Sequence, residues 1–568
     1  ENSLGQEAHA APSVFSYFLP DFSPSGPLYS ASLYSPESQV LTSPKLISTL
    51  NGLFSFLEFG LVDCYGGFGS SSQFMDPSCP KTKSQRWLNK IKRKISYGSS
   101  LYPPAANNAE KIVDELDVLL TNGRLTTYSR RNLIQVVKNS HNFVHGLRNA
   151  QKLIITTPEY QSTSVVRRRV GFRVKPSDLP PPTKKYRALV HIMLNGGADS
   201  FNIVIPHSGC THTTSFDAYS KIRGVVAIPK TKLNVINAVN AQPCARYGLN
   251  DALPYLYQLY NKKDALFVAG VGTLSEPTDQ SNWQKNHFGI VQLFAHNKQQ
   301  TDSEQVDIFQ EYPGTGIGGR ILSTLQKNGY ETSALSVGGV SEFLDGDIAI
   351  AFFDPSTGVQ KLHPIPYERD ITDIVLTLNG PTEPISGLFG ESWARQIHQA
   401  LSDSAKYNAA LDSVELQTKF PDTYLGNQLR AIAHLIKTRE IRKVERDLFY
   451  ATSEGWDMHA KVGNGLIQLL GEVDMALKSF VTEMKDQNIW NDVLIFQASE
   501  FGRTTTPNTS GGTDHAWSGN YFLAGGLVKG GQILGKYPDI SEGSPLNIDR
   551  GRIIPSFPWD SMWKPVAQ

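Results

Sequence analysis

Residues 187–200 read Arg187-Ala-Leu-Val-His-Ile-Met-Leu194-Asn195-Gly-Gly-Ala-Asp199-Ser200, an apolar run that breaks into two glycines and an acidic residue. A run of this length, bounded by turn-forming residues, has the pattern of a buried β-strand. The two glycines permit a sharp turn and leave Asp199 and Ser200 at the strand's mouth. Residues 265–271 and 492–497 repeat the pattern, while 426–439 and 465–485 have the apolar spacing of helices. Strands alternating with helices over this length predict an α/β fold, with a mostly parallel sheet sandwiched by helices.

Upstream the pattern differs. Ile112, Val113, Leu116, Leu119 and Leu120 form a helical stripe over residues 109–120, ended by Asn122-Gly123. Residues 127–137 and 147–156 predict two more helices, the second stopped by Pro158. Residues 11–22 and 41–60 are rich in serine, proline and aromatic side chains. The expected organisation is a mostly helical, loop-rich region over 1–161, a Pro/Arg-rich linker over 162–185 and the α/β domain over 186–568. The linker holds Arg167, Arg168 and Arg169, then Pro176, Pro180, Pro181 and Pro182, a composition that favours extended chain.

Composition excludes several classes. With 54 basic against 53 acidic residues, bulk charge offers nothing to nucleic acid or to an acidic membrane. The most apolar stretch, 46–62, is interrupted by Asn51 and Glu58, so no membrane span is expected. Cys64, Cys79, Cys210 and Cys244 lack metal-binding spacing. They read either as two local bridges, which suit an oxidising extracellular, cell-surface or periplasm-like compartment, or as four free thiols. Glu1 in place of a starting Met is expected of a processed chain, and Asn508-Thr509-Ser510 is a glycosylation sequon.

Four places collect side chains that bind metals. Asp199 follows the first strand. Asp457 and His459, in Gly455-Trp-Asp-Met-His459, stand two apart, so on extended chain both point to one face. Glu500 and Arg503 lie in Ser499-Glu-Phe-Gly-Arg-Thr504 at the end of the third strand, and Asp514 and His515 in a glycine-rich loop. In open α/β sheets such groups gather beyond the carboxyl ends of strands. An oxygen-and-nitrogen set suits a divalent metal (zinc, manganese, magnesium or calcium). Any one Asp-His pair taken alone reads more simply as a structural hydrogen bond.

The motifs SEFGRT (499–504), GGTDHAW (511–517), AGGLVKGGQILGKYP (524–538) and LNGGADSFNIVIP (194–206) resemble a bacterial family, domain of unknown function 1501 of the alkaline phosphatase and sulfatase superfamily. The resemblance spans about residues 186–539. It implies a metal-dependent hydrolase of phosphate or sulfate esters acting on a small-molecule or glycan substrate. It places Asp199, Asp457, His459, Glu500 and His515 on metal, Asp514 behind His515, and Arg503 on an oxyanion. Segments APSVFSYFLPDFSPSG (11–26), SPESQVLTSP (35–44), LLTNGRLTTYSRR (119–131) and RNAQKLIITTPEYQ (148–161) resemble the C-terminal end of another family, domain of unknown function 1800. That implies a cut within a longer precursor; assembly with itself or with the rest of that precursor stays open.

The sequence departs from the first family at Lys285-Asn286-His287-Phe288, where Asn286 stands in place of the usual serine. It departs again at Leu249-Asn250-Asp251, where His-Pro usually follows the leucine. Asparagine cannot serve as the nucleophile, which leaves Ser200, Ser281 or a metal-bound water, with His287 on a metal or a substrate oxygen. Two readings follow: an active ester hydrolase, or a catalytically silent extracellular structural or assembly protein retaining the superfamily fold.

Overall fold

The computed structural model describes residues 33–36, 43–59, 108–163, 182–284, 292–310, 314–346, 348, 350–353, 355, 362, 371–380 and 388–567. The chain forms two compact units, Glu1–Asp178 with Val359–Ala409, and Leu179–Gly358 with Ala410–Gln568.

The first unit is helical. Its helices Ser43–Phe59, Ala109–Thr121, Thr127–Asn139 and Phe143–Ile154 are joined by Thr372–Asn379 and Leu388–Asp412. Each of the second to fourth begins at a side-chain cap (Asn108, Thr126, Asn142) that accepts a free backbone N–H of the first turn. Helix Ala109–Thr121 ends at Asn122, itself in the left-handed conformation. Leu50, Phe54, Ile112, Leu116, Leu133, Leu153, Trp393 and Ile397 share one core. Thr156 O accepts from both Trp393 Nε1 and Asn379 Nδ2, each at 3.0 Å. Residues 359–409 thus cluster with the helical unit although they lie inside the stretch expected to be α/β. Most of the expected linker, residues 164–181, lies outside the described residues.

The second unit is an α/β domain whose mixed, mostly parallel sheet is flanked by helices. Its strands are β1 (Arg187–Leu194), β2 (Val204–Cys210), β3 (Leu233–Asn237), β4 (Cys244–Asn250), β5 (Ala265–Gly272), β6 (Thr332–Ser336), β7 (Ile350–Phe352), β8 (Arg446–Ser453), β9 (Val493–Ala498), β10 (Gly519–Gly525), β11 (Ile533–Gly535) and β12 (Phe557–Pro558). The main sheet runs β11-β5-β10-β9-β1-β8-β6-β7, with β12 beside β5, and β2-β4-β3 form a small antiparallel sheet. β10 opposes both its neighbours, while the other pairings in the main sheet are parallel. β1 lies between β8 and β9, and every residue of it after Arg187 is buried. That is the burial expected of a strand covered on both faces. Cys210 and Cys244, register partners on β2 and β4, are disulfide-bonded; Cys64 and Cys79 lie outside the described residues.

On one face of β1 the His191 ring meets Phe343, Tyr450, Phe496 and Trp563 edge-on, with centroids 4.5–5.8 Å away. Neither ring nitrogen has a hydrogen-bond partner among the described residues. Burial pushes this imidazole down to about 3. The unfolded chain takes up a proton at this site near pH 6.5, whereas the folded one resists until about 3. The unfolded state therefore binds the extra proton, and stability falls with acidification across that window by up to ~1.4 kcal/mol per pH unit. A His191→Leu variant should show a flatter Tm against pH between 6.5 and 3. An unchanged slope would mean that other groups govern acid sensitivity.

Candidate metal centre

Three parallel strands, β1, β8 and β9, deliver the site, because their carboxyl ends lie side by side. The turn after β1 has Gly196 at φ 123°, a conformation L side chains avoid. A Cβ on Gly196 would stand 2.3 Å from Asp457 N, so the glycine lets the two loops touch. Beyond β8 the chain carries Asp457 and His459, and beyond β9 it carries Glu500 and Arg503. The loop before β10 supplies Asp514 and His515. A fourth segment supplies His296, the first residue of helix His296–Gln305.

These pieces converge. His515 Nε2 lies 3.1 Å from His296 Nε2, 3.0 Å from His459 Nε2 and 3.2 Å from Asp457 Oδ1. His459 Nε2 is 3.0 Å from the same Asp457 oxygen, and His296 Nε2 is 3.6 Å from Asp457 Oδ2. On the far side of each ring, Nδ1 faces an acceptor. His296 meets Glu500 Oε1 at 2.8 Å, His459 meets Asp514 Oδ1 at 3.0 Å, and His515 meets the Phe294 carbonyl at 2.8 Å. Carboxylates and carbonyls accept only, so each Nδ1 carries the hydrogen. A neutral imidazole has one N–H, so each Nε2 turns a bare lone pair toward the shared point.

Two bare lone pairs at 3.0 Å do not bond each other; they call for a cation or a proton between them. Ligand atoms about 2.0–2.1 Å from a tetrahedral ion stand roughly 3.3–3.4 Å apart, close to these separations. His296, Asp457 and His515 each offer a ligand atom within 4.8 Å of the others, a set that fits a divalent metal. His459 stands beside it, with its Nε2 3.0 Å from His515 Nε2 and from Asp457 Oδ1. The residues are a quarter to a half exposed, so the point is open to solvent.

Electrostatics follows from the same contacts. Burial pushes the Asp457 carboxyl up, but the Arg503 guanidinium and the nearby histidines outweigh it and hold the carboxyl below its ordinary value. Asp514 is likewise raised by burial yet lowered overall by Asn508, His459 and Arg550. Burial depresses His515, countered by its bond to Phe294 and reinforced by His296 and Arg503. The outcome keeps carboxylates ionised and His515 neutral, the forms that ligate.

The structure brings Asp457, His459 and His515 together and sets Glu500 and Asp514 one layer behind, as acceptors rather than ligands. Asp514 orients His459, not the neighbouring His515. Glu500 Oε1 accepts from Gly196 N and meets His296 Nδ1, both at 2.8 Å, and its Oε2 lies 3.0 Å from Ser499 Oγ. Asp199, expected as a ligand, is placed apart from the histidines: this buried carboxylate pairs through Oδ2 with the buried Arg223 guanidinium, which also bonds Asn202 and the Thr504 and Thr505 carbonyls. Ser200, expected as a nucleophile, has a buried hydroxyl that accepts from Asn520 N at 2.9 Å on the strand framework. Ser281 is exposed and bonded to Asp279. Arg503, expected to steady an oxyanion, is instead fully buried and spent on the Gly196, Gly197 and Thr513 carbonyls and on Asp457. Asn286 and His287 lie outside the described residues. His296 was missed, for it has no ligand type beside it in sequence.

Fold and site together define an α/β domain with an imidazole-carboxylate centre at the carboxyl ends of its strands. A family model, Protein of unknown function (DUF1501), matches residues 395–548. That stretch carries Asp457, His459, Glu500, Arg503, Asp514 and His515, but not His296. No curated protein matches the chain in sequence. Among solved structures, the lipoteichoic acid synthase LtaP from Listeria monocytogenes is 9% identical at TM-score 0.25, over 65% of this chain and 76% of that one. The C-terminal periplasmic domain of EcEptC from Escherichia coli, in complex with Zn, is 10% identical at TM-score 0.26, over 62% and 78%. The PsFucS1 sulfatase from Pseudoalteromonas sp. is 12% identical at TM-score 0.25, over 62% and 65%. At such scores these likenesses carry no weight for the chemistry.

Lysine cannot reproduce the planar fork with which Arg503 reaches three carbonyls and Asp457. Arg503→Lys should therefore lower stability by roughly 2–4 kcal/mol in denaturant unfolding, with the half-exposed Asp457 contributing the smaller share. A loss under about 0.5 kcal/mol would mean that the loops hold without this fork.

Proposed function

We propose that this protein is a metal-dependent hydrolase of phosphate or sulfate esters. The observation that carries the metal is the Nδ1 anchoring of His296, His459 and His515, which leaves their Nε2 atoms 3.0–3.6 Å from Asp457, with His296, Asp457 and His515 as the set able to hold one ion. A nitrogen-rich set favours zinc over manganese, magnesium or calcium. Bound there, such an ion supplies a Lewis acid for an ester oxygen and acidifies water. The chain's own residues do the rest: Glu500, Asp514 and the Phe294 carbonyl fix the imidazoles, and Arg503 holds Asp457 in place. The motifs 499–504 and 511–517, with their likeness to the alkaline phosphatase and sulfatase superfamily, support the ester class and a small-molecule or glycan substrate.

The Cys210–Cys244 bridge supports an oxidising, extracellular or periplasm-like setting. Among the described residues no helix is long and apolar enough to cross a membrane. A second reading, a metal-holding protein without turnover, is favoured by one observation. Ser200, the hydroxyl closest in sequence to the β1 turn, is buried against Asn520 N instead of facing the histidines.

Elemental analysis after dialysis against zinc or manganese should find close to one equivalent per chain, lost in His515→Ala and His296→Ala. Metal-loaded protein should then cleave aryl phosphate or aryl sulfate esters. No metal uptake would end the metal reading. Uptake without cleavage of either ester would leave the silent protein.

A further inference from the structure

Asn508 lies outside the ligand set, yet its side chain joins the two loops that bear His459 and His515. Its Nδ2 donates to the His459 carbonyl and to Asp514 Oδ1, both at 3.0 Å. Its Oδ1 accepts from Ser510 N and Gly512 N, both at 3.0 Å. An amide has two hydrogens and one oxygen with two lone pairs, so all four positions are used. The loops it joins are in contact beyond it: Thr513 N donates to Met458 O at 3.0 Å, and a Cβ on Gly512 would stand 2.1 Å from the His459 carbonyl carbon.

The direction of the His459 ring depends on two things, the position of its own backbone and the Asp514 oxygen that takes its Nδ1 hydrogen. Asn508 holds both with the same nitrogen. Arg550 Nη2 steadies the other Asp514 oxygen at 2.6 Å but does not touch His459. We infer that Asn508 is a positioning residue of the metal centre, whose amide fixes the His459 imidazole against His515 and Asp457 by bracing its carbonyl and its Asp514 acceptor at once. The Asn508-Thr509-Ser510 pattern is then a brace: a glycan on Nδ2 would take one of the two hydrogens that the brace needs. This inference rests on the metal-centre reading above.

The test is a cycle of zinc dissociation constants, measured by chelator competition on the full chain for wild type, Asn508→Ala, His459→Ala and the double variant. Loss of an outer partner typically weakens metal binding about 10–100-fold. Asn508→Ala should weaken zinc roughly 10-fold in the wild-type background and leave the affinity unchanged once His459 is already alanine. The metal-free Tm of Asn508→Ala should stay near that of the wild type. Should Asn508→Ala fail to fold, Asn508→Asp serves, since it keeps the two acceptor bonds and lacks both hydrogens. Wild-type affinity in these variants, or an equal loss in both backgrounds, would overturn the positioning role. A wild-type chain that takes up no zinc would instead bring down the metal reading on which it stands.

Discussion

A buried positive charge must be fully partnered or the fold does not tolerate it, and Arg503 is such a charge. Its guanidinium reaches the Gly196 and Gly197 carbonyls after β1, the Thr513 carbonyl before His515, and Asp457 after β8. Three loops from distant parts of the chain are thus tied to one planar group. The placement of Asp457 and His515 follows from that knot, because it grips Asp457 itself and the Thr513 carbonyl two residues before His515. The fixed fork of the guanidinium sets the loops in one relative geometry, which a flexible ammonium would not.

Behind the ligands the structure places acceptors of mixed kind: two carboxylates and one backbone carbonyl. The difference matters electrostatically. Glu500 and Asp514 each add negative charge next to an imidazole, which strengthens its hold on a cation. The Phe294 carbonyl adds no full charge beside His515, where burial, and after it the neighbouring His296 and Arg503, disfavour a proton. One histidine of the three, His515, is therefore kept neutral by its surroundings.

Much of the fold was legible because it is written locally. The apolar run of β1, with its Asn-Gly-Gly break, marks a buried strand within a dozen residues, and the structure places β1 over the same span, Arg187–Leu194. Asp457 and His459, two apart in sequence, lie together, with His459 Nε2 3.0 Å from Asp457 Oδ1, although the chain between them is held by a His459 N–Asp457 O turn bond and is not extended. What failed to show was decided by partners far away in sequence. His296 meets Glu500 across 204 residues and so has no local signature. Asp199 has the look of a ligand until Arg223, 24 residues on, claims it. Ser200 is claimed by a backbone N–H of β10. Residues 359–409 likewise belong by packing to a core built mainly from the first part of the chain, and no composition shift announces their return.

The contact between His296 and His515 spans 219 residues, with His459 between them in sequence. A chain emerging from the ribosome therefore carries its first imidazole long before the last is made. Until His515 is synthesised and β1, β8 and β9 are aligned, no segment offers more than one or two of these donors. The centre is accordingly a late product of synthesis, assembled where the whole domain finishes folding.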